Sequence, residues 1–559
     1  MKISRRDFLK GTAASALAVS AAGMMPTAAL AEEEMTAAAP DWLGEAPEIP
    51  EDEIVETKET KLLIVGAGNG GMMAAVTAAD AGLDFMICEQ NAAINGARFW
   101  VGAINTRAMQ EADATVSKTK VLNELARYAS YKCDTSVIRL WLDYSAEMVD
   151  YLESLGFTTE LHIAPPGSVG GEEMDYMVPS IWHTITPPSE GFENVGPFGV
   201  GRNDFFLKYI NDRGYDVQYE MTLVRLLQDE TGKVTGAIFT NENDEYVKIL
   251  ADNTILATGG YPGNPQMIGA LAPIINDCCT CNSYYAPDRG MGIKAGLWAG
   301  AKMDTECAPM IFDRGLVAPG VKAGFADDGN GNLALPGTVF QEGLGTQPHL
   351  KVNKEGLRFA NESCPYDFLN FAASLQTDGV YAVILDANVE EAVIAYDQYG
   401  CAQMTNNMAK AGTLLPHIEE QVEKGLMFKA DTLEELAEKL GIPADALKAT
   451  VDRYNELCDK GVDEDFGKEP YRMHRVDTAP FYGGFFGGSL LTTCDGLRIN
   501  RKCQVYDKNH QIIEGLYAVG DCSGSFFSGN YPEYFVGVAC GRTLTEGRYA
   551  VKAILGEEF

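Results

Sequence analysis

Positive charge is scarce in this chain. Across 559 residues, 44 Lys and Arg stand against 79 Asp and Glu, a formal net charge of -35 at pH 7. Nucleic acid and anionic lipid would both be repelled, so neither is an expected partner. The motif Cys-x-x-Cys-His is absent, which excludes an attached c-type haem. There is no second Gly-x-Gly-x-x-Gly loop beyond the one described below, and no redox cysteine pair follows it, which argues against a pyridine nucleotide–disulfide oxidoreductase. The 13 cysteines are odd in number and scattered. Their one cluster, Cys278, Cys279 and Cys281, lacks a second pair to complete a zinc or iron–sulfur site, so the sequence argues against both. Past residue 31 no stretch is apolar enough to span a membrane.

What is present begins with an address. "SRRDFLK" at 4–10 is a twin-arginine pattern, followed by a mild Ala/Gly-rich stretch that ends in Ala29-Leu30-Ala31. A charged segment, an apolar segment and a small-x-small cleavage site together predict a signal peptide over 1–31 and export by the twin-arginine route to the periplasm or another extracytoplasmic space. That route carries folded proteins, which suits a chain loaded with its cofactor before export. Residues 32–60 are acidic, rich in Pro and Ala and without periodicity, and read as a linker.

At 61–71 the apolar run "KLLIV" meets "GAGNGG", and an alanine-rich helix and a second strand, "DFMICEQ", follow. This is a βαβ unit with its glycines at the turn. Gly66 permits the tight turn, Gly68 lets the backbone reach a pyrophosphate and Gly71 allows close helix–strand packing; Ala67 and Gly70 complete the loop. The helix N-terminus supplies N–H donors and a positive dipole end. Glu89, at the end of the second strand, stands where it can hold ribose hydroxyls. Late in the chain "GLYAVGD" is another strand with a glycine turn, ending at Asp521; FAD enzymes use such a strand to hold the ribityl chain, which favours FAD over NAD. From about 303 to 488 the texture changes and includes a helical hairpin, with Pro443 and Asp445 suited to the first turn of its second helix. The expected architecture is therefore α/β. A Rossmann-like FAD-binding domain is split into 61–302 and 489–559, with an α+β capping or substrate domain inserted at 303–488.

The pieces "VGAGNGGMMAA", "ILATGGYPGN", "AGLWAGAKM", "GLRFANE" and "GLYAVGD" resemble, in order, the FAD-dependent fumarate reductase/succinate dehydrogenase-like flavoproteins, including the 3-ketosteroid dehydrogenases. The resemblance implies a flavin domain, a mobile cap with substrate between the two, and non-covalent FAD touched by Val224, Thr258, Gly259, Asp521 and the Gly537 backbone. By the same likeness "RF-x-NE" at 358–362 is a fixture around the flavin. The family's Ser/Thr after the second strand is replaced by "INGARFW", where Arg98 is either a surface charge or a phosphate contact.

Fumarate-type members hold two carboxylates with histidines and arginines, for which bidentate Arg is suited. This chain has six histidines, none in those motifs. It places Ala308, Thr492, Tyr366 and Tyr531 where the carboxylate-binding residues are expected. "NESCPY" and "YP" resemble the 3-ketosteroid dehydrogenases, which implies Tyr366 moving a proton at the carbon beside a carbonyl and Tyr531 polarising that carbonyl. A neutral phenol can do both. "PEY" departs from the steroid enzymes, and Glu533 reads equally as a substrate contact or a solvated charge. The expected activity is reduction of a carbonyl-conjugated C=C of a small-molecule substrate, with a separate membrane-bound or periplasmic electron carrier. The alternatives are a ketosteroid-type dehydrogenase working oxidatively, a fumarate-like unsaturated-acid reductase, or a non-catalytic flavin electron shuttle.

Overall fold

The computed structural model describes residues 42–94, 98, 100–165, 178–192, 201–282, 288–337, 339 and 342–559. The signal peptide and the start of the linker lie outside them. The linker's later part is structured: Glu51–Glu53 form a short 3-10 turn and the first strand begins at Ile54, pairing in parallel with Tyr246–Leu256. The acidic composition hid this strand because its first half is largely solvated, while its second half, Leu62–Val65, is buried.

An eight-stranded sheet is organised around that strand. From one edge six of its strands run Gln504–Tyr506, Ile512–Ala518, Tyr246–Leu256, Ile54–Val65, Phe85–Cys88 and Val217–Gln218, while Val234–Thr240 also pairs with Tyr246–Leu256 and carries Thr222–Gln228. The central pairings are parallel, with Leu62 opposite Phe85 and Ile64 opposite Ile255. Strands covered on both faces read as unbroken apolar runs, which is why "KLLIV" was legible. Helix Asn69–Asp80 and helix Val538–Ile554 pack against one another. A methyl group at Gly71 would run into the carbonyl oxygen of Gly66, so only glycine lets the first of these helices sit on its own turn.

A second, six-stranded sheet is centred on Phe481–Thr493, which pairs with Cys279–Asn282, Pro309–Val317, Tyr381–Leu385 and Met427–Ala430. This sheet draws one strand from before residue 302 and its central strand runs past 488. Strand Tyr381–Leu385 shows the two-residue alternation of a sheet with both faces packed. Ala382 and Ile384 join a core with the helical hairpin; Tyr381, Val383 and Leu385 join another with helix Val389–Tyr396. The hairpin is Leu433–Leu440 and Ala444–Lys460, with Thr432 capping the first helix and Pro443 and Asp445 opening the second as expected.

"RF-x-NE" turns out to serve the inserted segment. Arg358 makes two 2.8 Å bonds to Glu362 and bonds of 3.1 and 2.8 Å to Asp463, all three side chains being buried. Buried Lys468 lies 3.6 Å from Glu362. The motif is a four-charge hub, not part of the cleft described next.

Candidate active site

Where the first strand ends, the chain turns at Gly66 (φ 103°), whose N–H donates to the Cys88 carbonyl at 2.7 Å. The next N–H, of Ala67, donates to Glu89 Oε2 at 2.8 Å, and Glu89 Oε1 accepts from both nitrogens of Asn91. Glu89 thus braces the turn from the neighbouring strand. The turn, the start of helix Asn69–Asp80 and the loop after Ile512–Ala518 line a cleft with about 960 Å³ of empty space.

Of the residues singled out in the sequence, Gly66, Gly68, Gly70, Glu89, Thr258, Gly259 and Asp521 line this cleft. Ala67 and Gly71 are buried behind it and shape the turn. Leu223 lines it rather than Val224. The Gly537 carbonyl is taken by the Gly102 N–H at 2.8 Å, away from the lining residues. Arg98 is a cleft residue and pairs with Asp521 at 2.8 Å, while Arg542, buried, reaches the other Asp521 oxygen at 3.1 Å. Asp288, Arg289 and Met291 also line the cleft. Sequence reasoning passed over them, although "DRGMG" places two charges and a left-handed glycine (Gly290) directly before helix Met291–Trp298.

Electrostatically the cleft is less acidic than its composition suggests. Burial, with Asp521 and Glu89 nearby, pushes the Asp288 carboxyl up to about 8, so it is protonated at neutral pH. An arginine, a neutral acid and a helix N-terminus then face the space that a pyrophosphate requires, and the residues present fit FAD. Cys278, Cys279 and Cys281 are buried, and burial pushes Cys281 up to about 11 and Cys279 well above its usual range, which keeps both as thiols.

The tyrosines form a second constellation. Tyr366 is the first residue of helix Tyr366–Ala373 and is 2% exposed. Its ring packs against Phe312 at 5.9 Å and the Arg314 guanidinium at 5.5 Å. Its hydroxyl has no hydrogen-bond partner among the described residues. Burial holds the phenol well above its usual range, and Arg314 opposes that shift. Tyr531 packs on Phe527 at 5.3 Å, and its hydroxyl accepts from the Ala539 N–H at 3.3 Å, at the start of helix Val538–Ile554. The two tyrosines are joined by Glu533, which accepts from the Tyr366 N–H at 2.6 Å. Glu533 is buried, so it is no solvated loop charge. Beside it the Asp367 carboxyl accepts from Tyr128 Oη at 2.9 Å. Tyr128 and Asp367 went unnoticed in the sequence, having no motif and lying 239 positions apart.

A family described as "FAD binding domain" matches residues 61–534, and a twin-arginine translocation signal matches residues 2–22. The chain is therefore addressed for export. Among the described residues no helix is long and apolar enough to cross a membrane. A vinyl phenol reductase from Lactiplantibacillus plantarum is 27% identical, covering 88% of this chain and 96% of that protein. An NADH:acrylate oxidoreductase from Vibrio harveyi is 28% identical over 84% of this chain, which spans 48% of that protein. Among solved structures, 3-ketosteroid delta1-dehydrogenase from Sterolibacterium denitrificans superposes with a TM-score of 0.70 at 18% identity, covering 90% of this chain and all (100%) of that one. The last likeness is one of fold.

Proposed function

The chain belongs to the FAD binding domain family, and from that premise we propose that it is an exported FAD-dependent reductase of an activated, carbonyl-conjugated C=C bond, with Tyr366 as proton donor. The observation that carries the reading is the buried Tyr366 hydroxyl, which meets no partner among the described residues. A polar group kept dry costs stability unless a ligand uses it.

Non-covalent FAD, when bound, would supply the hydride for the β-carbon. The protein's own part is orientation and the acid. Gly66, Gly68 and Gly70 leave room for the cofactor's phosphates, and Arg98 with Asp521 closes the cleft's far side. Tyr366 gives its hydroxyl proton to the α-carbon. Arg314, 5.5 Å from the ring centroid, steadies the phenolate left behind. Tyr531 hydrogen-bonds the oxygen on which enolate charge develops. Neither phenol can clamp a carboxylate as arginine does, which disfavours fumarate. Two relatives support reduction of a conjugated alkene as the direction, one named for vinyl phenol, whose C=C is conjugated to a ring, and one, of which this chain spans 48%, for acrylate. A separate extracytoplasmic electron carrier would return electrons to the cofactor.

The test is anaerobic: reduce the bound flavin chemically, add enones, vinyl phenols, acrylate or fumarate, and follow flavin absorbance. Rapid reoxidation by conjugated alkenes is expected. Rapid reoxidation by fumarate and none of the others would overturn the reading.

A further inference from the structure

Two carboxyl groups lie between the tyrosines, and the proton transfer above uses neither. Glu533, two residues after Tyr531, accepts from the main chain of Tyr366 at 2.6 Å. Asp367, one residue after Tyr366 and buried like it, lies close enough to Glu533 for the two carboxyls to perturb each other's ionisation. Glu533 therefore ties the segment of Tyr531 to that of Tyr366, with Asp367 beside the tie. Tyr128, from helix Lys118–Tyr128, donates to Asp367 from a third direction at 2.9 Å.

We propose that Asp367 and Glu533 share one proton and act as positioning residues, locking the segments that carry Tyr366 and Tyr531 into one geometry; the proposal rests on the role given to those tyrosines above. Two carboxylates in contact away from water cannot both ionise, because neither solvent nor a cation screens them. With one proton between them the repulsion becomes a hydrogen bond between acid and carboxylate, among the stronger kinds in proteins. The titratable groups facing the pair are Tyr128, Tyr366, Asp313 and Cys364, with Tyr534 packed on Tyr128. None of these is a cation. The nearby cations, Arg314 and Lys351, face Asp313. Burial accordingly pushes Asp367 up to about 7 and Glu533 well above its ordinary range.

The sign of the pH effect follows. While the pair keeps its shared proton the tyrosines keep their spacing. As pH rises far enough to remove the shared proton, two like charges face each other, and turnover falls while the cofactor cleft is untouched.

The experiment compares the native holoenzyme with E533Q, E533L and D367N. In E533Q the amide oxygen still accepts from Tyr366 and the amide NH₂ donates permanently to Asp367. The expected infrared difference spectrum at about pH 6, above ordinary carboxyl values, shows a protonated-carboxyl stretch in the native protein that E533Q lacks. E533L is expected to lose roughly 100-fold in kcat with little change in KM or flavin content, and E533Q to recover to within roughly tenfold of native with its alkaline limb gone. If E533L does not fold, D367N takes its place. No lost carboxyl band, an E533Q as slow as E533L, or an alkaline limb that survives in E533Q would each overturn the proposal. Native turnover in Y366F with the band intact would instead bring down the proton-donor assignment on which the positioning role rests.

Discussion

The dinucleotide cleft is made by main chain and the tyrosine constellation by side chains, and the two respond differently to change. In the cleft, Gly66, Gly68 and Gly70 clear space at the start of a helix, so volume is what the site cannot tolerate. Around Tyr366 the parts come from distant stretches, Tyr128, Arg314, Asp367 and Glu533, and all are buried or packed on one another. There the delicate quantity is charge. The sharpest way to break this distinction is to add one methyl group behind the cleft, where the turn is braced. G71A should cost the most of any single change, since its methyl would strike the Gly66 carbonyl. Flavin content per protein is expected to fall more than about tenfold, measured by absorbance after purification, with soluble yield falling too.

A change that removes only an oxygen atom tests the other half. Y366F should bind flavin as the native protein does and lose roughly 10²- to 10⁴-fold in the rate of flavin reoxidation by a conjugated alkene, the range for a missing general acid. A loss of flavin together with rate would mean that the two regions are one mechanical unit and the distinction is wrong.

How much of each region could be read in the sequence follows from the same contrast. A main-chain site is written locally. Strand, glycine turn, helix and acid succeed one another from Leu62 to Glu89, and composition and spacing reveal them. Its missed residues, Asp288 and Arg289, sit at a helix entrance that has no period to detect. A side-chain site is written only in the fold. Tyr366 and Tyr531 could be named through resemblance, but Glu533 stayed ambiguous and Asp367 and Tyr128 invisible, because burial and partner are long-range properties. The start of the first strand was missed for a related reason. Its solvated half, with two Glu and two Lys, is as polar as a linker, and only pairing with Tyr246–Leu256 makes it a strand. "RF-x-NE" was a misplacement of another kind: Arg358 pairs with Asp463, a residue 105 positions away that no local pattern indicates.

That hub gives a third comparison, between buried and exposed charge. R358A leaves Glu362 and Asp463 dry and without their guanidinium, and should destabilise by about 3–5 kcal/mol in denaturant melts. R453A removes an arginine that touches Glu456, Glu464 and Asp465 at the surface. Solvent and salt already screen those contacts, so its melting transition should coincide with that of the native protein.

The smallest effect expected returns to the cleft and asks whether charge matters there at all. Asp288 is lifted to about 8 by burial first, then by Asp521 and Glu89. Below that pH its neutral carboxyl tolerates a neighbouring pyrophosphate; above it a third carboxylate confronts the anion. A bound diphosphate favours the protonated form, so affinity is highest below about 8 and declines as pH rises through it, by at most about tenfold per pH unit. Titrating FAD into deflavinated protein between about pH 6 and 9, followed by quenching of flavin fluorescence, should show this decline in the native chain and a flat profile in D288N. Equal slopes in the two would take the pH response away from Asp288 and leave the cleft's main chain, not its charge, in control of FAD binding.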